Sequence, residues 1–339
     1  MLMTLGRTQL TVDKDGLGAL PLQRASVPEA IRLIQAVVDA GVTYLDTARM
    51  YSDSEAKLGL ALAGRRSSVT IATKTRALTA EGVEKDLHES LRLLQTDYID
   101  VYQLHNPDFL PDEGHEIYQA LARAQQAGKI RFIGYTNHKV HLAEAAVESG
   151  LFDTLEYPLS FLSDEREVRL TQLCAEHNVG FIAMKALAGG LITDVGLARR
   201  FMNGLENVIP IWGLQRMSEV EALIGARRQD GDRSLSEEDQ ANIAAEKSQL
   251  GDDFCRGCGY CLPCPADIVI FQAARTSLMI RRAPGTYWFS DEWRNEMDKI
   301  DHCIRCEACK SRCPYGLDTP ELLKRNLADY RQVLSGLSK

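Results

Sequence analysis

Residues 69–105 read VTIATKTRALTAEGVEKDLHESLRLLQTDYIDVYQLH and contain one strand, one helix and a second strand. Val69–Lys74 and Ile99–Leu104 are short and largely apolar, as is typical of parallel strands that are covered on both faces. Between them, Glu81–Leu94 repeats apolar residues at the three- and four-residue spacing of an amphipathic helix. Because parallel strands require a crossover connection, this stretch predicts a βαβ unit.

The same alternation of strand and helix extends from about residue 28 to residue 225. The strand candidates are Gly16–Ala19, Thr43–Asp46, Val69–Lys74, Ile99–Leu104, Ile130–Tyr135, Thr154–Glu156, Gly180–Met184 and Val208–Ile211. Eight repeats of strand and helix over roughly 200 residues predict a TIM (β/α)8 barrel. A doubly wound open sheet is the alternative, but no G-x-G-x-x-G motif follows the first strand, which counts against its dinucleotide-binding form.

A polar and charged stretch, ARRQDGDRSLSEEDQ at residues 226–240, ends the barrel pattern. One more helix follows, at about Ser236–Leu250, and the cysteine-rich part begins after it. A chain of 339 residues is long enough for two domains. We therefore expect a barrel domain at residues 1–250 and a mainly helical domain at residues 251–339, which ends in a helix at about Thr319–Leu334.

Eight of the nine cysteines form two short runs, and each run ends in Cys-Pro. The runs are Cys255, Cys258, Cys261 and Cys264, and then Cys303, Cys306, Cys309 and Cys313. The second run has the spacing C-x2-C-x2-C-x3-C-P, which binds 4Fe–4S clusters in ferredoxins. In two-cluster ferredoxins the fourth cysteine of such a run ligates the other cluster. The two runs therefore predict two 4Fe–4S clusters with crossed ligation, in which Cys313 completes the first site and Cys264 the second.

One ligand and two alternatives to iron–sulfur clusters, zinc sites and a disulfide framework, have to be considered at this point. The first run has two residues instead of three between Cys261 and Cys264, so the ligand role of Cys264 is open. Paired C-x2-C units also make tetrahedral zinc sites, although zinc sites usually separate their two pairs by a long loop. A disulfide framework is typical of secreted proteins, and nothing in this sequence indicates secretion. Cysteines at every third residue favour the clusters.

The composition narrows the class of protein and of partner. Hydrophobic residues make up 45% and charged residues 25%, and the formal net charge is −8. This acidity argues against a nucleic-acid partner. No apolar run approaches the length of a membrane span, and the N-terminus lacks a signal-peptide pattern, so we expect a cytoplasmic protein without a membrane partner. Of the isolated residues, Cys174 is expected to be a buried thiol, and His138 and His141 to face water.

Four polar residues fall at or just beyond the ends of three neighbouring strand candidates. Asp46 ends TYLD, Tyr51 follows five residues later, Lys74 ends VTIATK, and His105 follows IDVYQL. Taken singly, each could have a structural role, such as a helix cap or a solvated strand end. In a TIM barrel, however, reactive residues lie at the carboxyl ends of strands. A lysine that ends a buried strand also needs a partner, and Asp46 is the expected one.

The stretch GVTYLDTARMYSDSE at residues 41–55, with Lys74 and His105, resembles the signature of the aldo/keto reductase superfamily. The resemblance covers about residues 1–230, and the cysteine-rich part resembles dicluster ferredoxin domains fused to one branch of that superfamily. It implies carbonyl reduction by a nicotinamide cofactor, with Tyr51 as general acid. Lys74, held by Asp46, would lower the pKa of Tyr51, and His105 would donate a hydrogen bond to the carbonyl oxygen.

The resemblance also implies contacts with the cofactor. The matching positions are Thr136, Asn137, Glu156, Leu187, Gly189, Gly213, Leu214 and Arg216. Glu156 stands where the family usually has glutamine. Glu219 stands where the family has its phosphate-binding arginine, and Arg216 is the nearest remaining cation. A carboxylate beside a 2′-phosphate would repel it, so the choice between NADPH and NADH stays open.

Together these features predict an oxidoreductase that acts on a small carbonyl or alcohol. Its clusters would either exchange electrons with a one-electron redox partner or serve as structural elements. Hydride transfer moves two electrons together, whereas a cluster moves one, and we see no flavin signature that would connect the two. The alternative is an electron-transfer or regulatory protein whose barrel has lost catalysis.

Overall fold

The computed structural model describes residues 1–231, 233–251, 253–283 and 285–337. Its internal contacts divide the chain into two compact units. The first consists of Met1–Ala186 and Asp194–Ser236, and the second of Leu187–Thr193 and Glu237–Lys339. The helix at Glu237–Leu250 therefore groups with the cysteine-rich segment, as does a seven-residue loop that follows the barrel's seventh strand in the chain.

The first unit contains an N-terminal hairpin and a closed barrel of eight parallel strands. The hairpin strands are β1 (Leu2–Thr4) and β2 (Thr11–Asp13). The barrel strands are β3 (Gly16–Gly18), β4 (Tyr44–Asp46), β5 (Thr70–Thr75), β6 (Ile99–His105), β7 (Ile130–Thr136), β8 (Thr154–Pro158), β9 (Gly180–Met184) and β10 (Val208–Gly213). They pair in chain order, and β10 pairs with β3. The predicted TIM barrel is confirmed, and the open-sheet alternative is wrong.

Helices connect the strands. They are α1 (Val27–Asp39), α2 (Ser54–Ala61), α3 (Ala80–Leu94), α4 (Glu116–Gln126), α5 (Val140–Glu148), α6 (Glu165–Glu176), α7 (Val195–Asn203) and α8 (Met217–Asp230). Side-chain caps fix where several of them begin. Thr79 accepts a hydrogen bond from the amide of Gly82 at the start of α3, and Asp164 and Glu167 form a capping box at α6.

The hairpin covers the amino-terminal end of the barrel. Leu5, Leu10 and Val12 are buried in one cluster with Tyr44 and Ile209 of the strands. The hairpin backbone passes so close to β9 that a Cβ atom on Gly6 would lie 2.3 Å from the amide nitrogen of residue 180. Only glycine fits there, and its φ of +49° is also one that glycine adopts readily. A polar functional site is therefore expected at the opposite, carboxyl-terminal end of the barrel.

A buried group of charges joins this covered end to the last two helices of the barrel. Asp15 accepts hydrogen bonds from Arg199 at 3.0 Å, from Arg227 at 2.7 Å and from the indole of Trp212 at 2.9 Å. Asp13 also pairs with Arg227. Because both carboxylates and both guanidinium groups are paired within the fold, this cluster is structural.

The second unit is mainly helical, as predicted. Its helices are α9 (Glu237–Leu250), α10 (Ile270–Ala273), α11 (Thr276–Arg282), α12 (Asp291–Asp298), α13 (Ala308–Ser311) and α14 (Thr319–Leu337). The segment IVIFQAARTSLMI, which resembles a single helix in the sequence, is divided into α10 and α11 at residues 274–275. Trp293, Met297 and Tyr330 form a core with Cys261 and Cys309. In the part of the chain that the structure describes, no helix has the length and apolar character needed to cross a bilayer.

Candidate functional site

Three adjacent strands bring the predicted polar residues to one rim of the barrel. Asp46 ends β4, Lys74 is the second-last residue of β5, and His105 ends β6. These strands are neighbours in the closed sheet, so their carboxyl ends lie side by side. The expected gathering of these three side chains is thus present. Their catalytic roles stay a prediction.

The ammonium group of Lys74 is enclosed by oxygen atoms. Its Nζ lies 2.5 and 2.6 Å from the carboxylate oxygens of Asp46, and 2.9 Å from the carbonyl oxygen of Thr47. A second carboxylate, that of Glu156 on β8, lies 3.1 Å away. The side chain of Lys74 is fully buried, and those of Asp46 and Glu156 are 2% exposed. An ammonium has three hydrogens, so these partners use its whole donor capacity.

A residue of another strand, Gln103, holds the carboxylate of Glu156 in this position. Gln103 of β6 donates a hydrogen bond from Nε2 to Oε2 of Glu156 at 2.7 Å. Gly134 of the intervening strand β7 makes this possible, because a Cβ atom there would lie 2.8 Å from Cγ of Gln103 and 2.5 Å from Oγ1 of Thr154. The sequence points to Glu156 only as a cofactor contact, whereas the structure makes it the second counter-ion of Lys74.

Two carboxylates share one ammonium inside the barrel. Burial raises the pKa of Asp46 well above its usual value, and the charge of Glu156 raises it further, while Lys74 opposes both effects. The two carboxylates also raise the pKa of Lys74, against the effect of burial, so Lys74 keeps its proton.

Tyr51 lies in the loop between β4 and α2, which internal hydrogen bonds hold in place. Thr47 donates from its hydroxyl to that of Ser54 at 2.9 Å, and Ser54 donates to the carbonyl of Ala19 at 3.2 Å. The Tyr51 ring meets the imidazole of His105 edge-on at 5.8 Å between centroids. Its centroid lies 5.6 Å from Nζ of Lys74. The loop therefore places the phenol beside both predicted partners.

The acidity of Tyr51 differs from the expectation. Burial raises the pKa of Tyr51 above the ordinary value of a tyrosine. Lys74 lowers this pKa, as expected, but Asp46 and Glu156 raise it, and the net direction is upward. The predicted direction of the Lys74 effect is therefore correct, but burial outweighs it.

His105 is neutral in this environment. Burial lowers its pKa well below that of a free imidazole, and the charges of Lys74 and Arg76 lower it further. A neutral imidazole keeps one N–H donor and one acceptor nitrogen. Among the described residues, Nδ1 of His105 has no hydrogen-bond partner, although it is buried.

The predicted nicotinamide contacts follow β7. Thr136 is in register with His105 on one side and with Glu156 on the other. Its buried hydroxyl has no partner among the described residues, and neither has Oε1 of Gln103. Buried polar atoms are normally satisfied, so these atoms fit a polar ligand such as a carboxamide. Asn137 instead uses its amide within the fold and donates to the carbonyl of Pro107 at 2.9 Å.

The positions predicted to bind the adenosine end lie at the end of β10. Gly213 is its last residue, and Leu214 is buried. Arg216 is exposed before α8 and donates to Glu219 at 2.6 and 2.9 Å. This ion pair neutralises the cation that the sequence offers for a phosphate.

Sequence reasoning missed two buried residues of this rim. His138 was expected to face water but is buried, with its Nδ1 3.2 Å from Oδ1 of Asn106. It lies in a turn after β7 whose folding the local pattern did not reveal. Gln103 was also missed. The sequence did contain a signal for Gln103, because it is a polar residue inside the largely apolar run IDVYQL. In a barrel strand, such a residue predicts a buried polar contact.

In the second unit, Leu187 and Gly189 belong to a loop that is held by an arginine. Nη2 of Arg275 donates to the carbonyl of Ala188 at 2.8 Å and to that of Gly189 at 3.0 Å. Gly189 and Gly190 have φ of +64° and +93°, and Ala188 shares this left-handed geometry at +48°. The loop is thus tightly bent, and Arg275 holds its outward carbonyl groups.

Both cysteine runs lie in this unit. One cavity is lined by Cys261, Cys264, Cys303, Cys306 and Cys309. It brings the fourth cysteine of the first run to the first three cysteines of the second, the arrangement that crossed ligation requires. Among the described residues, no three potential ligands are close enough to hold one metal ion. The cysteine ligands of a 4Fe–4S cluster surround a whole cluster, so they lie farther apart than the ligands of a single metal ion.

The state of the thiols removes one alternative. All nine cysteines are free, so the described residues contain no disulfide. The disulfide framework is therefore wrong for this chain. Cys174 is fully buried, as expected, and burial raises the pKa of its thiol.

Comparison with known proteins agrees with these features. Residues 14–207 match the model of the aldo/keto reductase family, and residues 254–318 match that of the 4Fe-4S dicluster domain. The second match favours clusters over zinc.

Individual relatives match the barrel part. L-galactose dehydrogenase of Arabidopsis thaliana is 32% identical over 216 residues, which cover 58% of this chain and 68% of that protein. Aldo-keto reductase YhdN of Bacillus subtilis is 31% identical over 179 residues, 48% of this chain and 54% of its own. The holo structure of aldo-keto reductase AKR11C1 from Bacillus halodurans superimposes with a TM-score of 0.64 at 25% identity, and covers 72% of this chain and 95% of that one.

Proposed function

The chain belongs to the aldo/keto reductase family and carries a 4Fe–4S dicluster domain, and from this premise we propose that it reduces small aldehydes or ketones, or oxidises the corresponding alcohols, with NADPH or NADH. The observation that carries the proposal is the fully buried Asp46–Lys74 pair beside Tyr51 and His105. A buried ion pair costs desolvation energy and is weak evidence for a role in stability, so its place beside a phenol and an imidazole supports a chemical role.

The side chains divide the proton chemistry of such a reaction. When bound, the nicotinamide supplies or accepts the hydride. Tyr51 holds its proton at neutral pH because its pKa is raised, and donates it to the oxygen that becomes an alkoxide. Lys74 stabilises the phenolate that remains. Neutral His105 donates a hydrogen bond to the same substrate oxygen and orients the carbonyl.

We further propose that the two cysteine runs hold two 4Fe–4S clusters, which exchange single electrons with a redox partner. The lining of the cavity by Cys264 together with Cys303, Cys306 and Cys309 supports crossed ligation of one cluster. By the same rule, Cys255, Cys258, Cys261 and Cys313 hold the other. Thiolate ligands persist in a reducing compartment, which supports a cytoplasmic location.

The relatives guide the choice of substrate probes. One is named a dehydrogenase of L-galactose and another an aldo-keto reductase, so both directions of the reaction are tested. Reduction is followed with 4-nitrobenzaldehyde and oxidation with L-galactose, each through the absorbance of the nicotinamide. Because Glu219 replaces the phosphate-binding arginine but is paired with Arg216, NADPH and NADH are titrated in parallel.

The full chain is purified without oxygen and analysed for iron and sulfide before the assays. Tyr51→Phe is expected to abolish reduction while nucleotide binding and iron content stay at wild-type values. A protein that binds neither NADPH nor NADH would point instead to an electron-transfer or regulatory protein with a silent barrel. Nucleotide binding with full activity in Tyr51→Phe would remove Tyr51 from the mechanism.

A further inference from the structure

Arg275 is a partly buried cation without a carboxylate partner among the described residues. In the same unit, Arg281, Arg282, Arg325 and Arg331 each pair with an aspartate or glutamate. Arg275 donates only to two backbone carbonyls, and its buried Nε has no hydrogen-bond partner in the described chain. An unpaired charge away from water is costly, so a negative group is expected nearby.

Two glycines show what surrounds this guanidinium. A Cβ atom on Gly257 would lie 2.6 Å from Nη1 of Arg275, and one on Gly189 would lie 2.9 Å from the same nitrogen. Gly257 lies between Cys255 and Cys258 in the first cysteine run. The guanidinium therefore fills the space that a side chain at either position would take, and touches the loop that carries the predicted cluster ligands.

The loop that contains Cys255 and Gly257 already has the local geometry of a thiolate site. The amide of Gly257 donates to Sγ of Cys255 at 3.3 Å, which is a bond that stabilises sulfur as thiolate. Burial lowers the pKa of Arg275, and the charge of Cys255 opposes that effect. Arginine keeps its proton even when buried, so the positive charge is permanent.

We propose that Arg275 is the positioning residue that sets the reduction potential of the cluster bound by the first cysteine run. The inference rests on the proposed presence of the clusters. Reduction adds one electron to a 4Fe–4S cluster and makes it one unit more negative. A fixed cation beside its ligand loop stabilises the reduced form more than the oxidised form, and so raises the potential.

The test is an EPR-monitored redox titration of the full, cluster-loaded chain, with dithionite as reductant. Arg275→Gln and Arg275→Met remove the charge, and Arg275→Lys keeps it. The matched control is Arg282→Gln. Arg282 binds the same loop through the carbonyl of Leu191 at 2.9 Å, but its charge is neutralised by Glu246 at 2.6 Å.

In the two neutral variants, one of the two clusters is expected to become about tenfold harder to reduce, which for one electron is about 59 mV. The other cluster, the Lys variant and Arg282→Gln are expected to stay close to wild type. If the neutral variants fail to bind iron while Arg275→Lys loads fully, the charge is needed for assembly of the cluster, which would count against a role in setting its potential.

Three further results would overturn it: unchanged potentials in the neutral variants, an equal shift in Arg282→Gln, or loss of iron in the Lys variant as well. The second and third would show that the order of the loop matters and the charge does not. Absence of iron and sulfide from the wild-type protein is a different outcome, since it would contradict the proposed function itself.

Discussion

Lys74 and Glu156 form a buried ion pair across the barrel, with Nζ and Oε2 3.1 Å apart. The lysine also binds Asp46, so the phenol of Tyr51 lies beside an ammonium that two carboxylates share. Proton release from Tyr51 therefore depends on Glu156 as well as on Lys74.

Replacing Glu156 by Gln is expected to make Tyr51 more acidic. Removal of the charge lowers the pKa of Tyr51, because Glu156 raises it, while Gln keeps the size of the side chain. In the proposed mechanism reduction requires protonated Tyr51, so the loss of activity at alkaline pH is expected to move to lower pH. The measurement is the pH profile of aldehyde reduction. Glu156→Asp keeps the charge and the wild-type profile, and an alkaline limb that stays in place in Glu156→Gln would contradict the argument.

The barrel is expected to lose stability as the pH falls below about 6.5, the usual pKa of an unfolded histidine. Burial lowers the pKa of both His105 and His138 in the folded protein. The unfolded chain therefore binds more protons, and their contribution is present above that pH and is lost below it. Each histidine accounts for up to about 1.4 kcal/mol per pH unit.

Thermal unfolding between pH 7.5 and 5 measures this slope. The double variant His105→Gln, His138→Asn is expected to flatten it, and replacement of the exposed His88 by Gln is expected to leave it unchanged. A double variant with the wild-type slope would show that other groups cause the loss.

Gly134→Ala is expected to destabilise the barrel and reduce activity. The new methyl group would overlap Gln103 and Thr154, at a cost of about 1–3 kcal/mol, and would move Gln103 away from Glu156. Gly225 in α8 is the matched control because nothing lies within 4 Å of its Cβ position. There alanine favours the helix by up to about 1 kcal/mol. Urea unfolding compares the two, and equal effects would mean that the space beside Gln103 is not needed.

Cys264→Ser is expected to lower the iron and sulfide content, because this thiol lines the cavity with Cys303, Cys306 and Cys309. Cys174→Ser is the control, since Cys174 is buried in the barrel unit. Metal analysis and EPR of the reduced protein measure the difference. Iron content and spectra equal to wild type in Cys264→Ser would show that the short spacing of the first run excludes it as a ligand.

Local patterns were enough to predict the barrel and the meeting of Asp46, Lys74 and His105, because strand ends and periodicity are local properties. The contact between Gln103 and Glu156 was not predictable in this way, since it depends on the register of three strands and on a glycine between them. The placement of Arg275 between residues 189 and 257 likewise depends on contacts between distant parts of the chain.

Asp46, Lys74 and Glu156 stand on strands that the closed sheet fixes on both sides. Of the connecting loops, the one between β4 and α2 also contacts this group, through the carbonyl of Thr47, and it carries Tyr51. Laboratory evolution of the other loops is therefore expected to change the choice of substrate while the buried ion group stays intact.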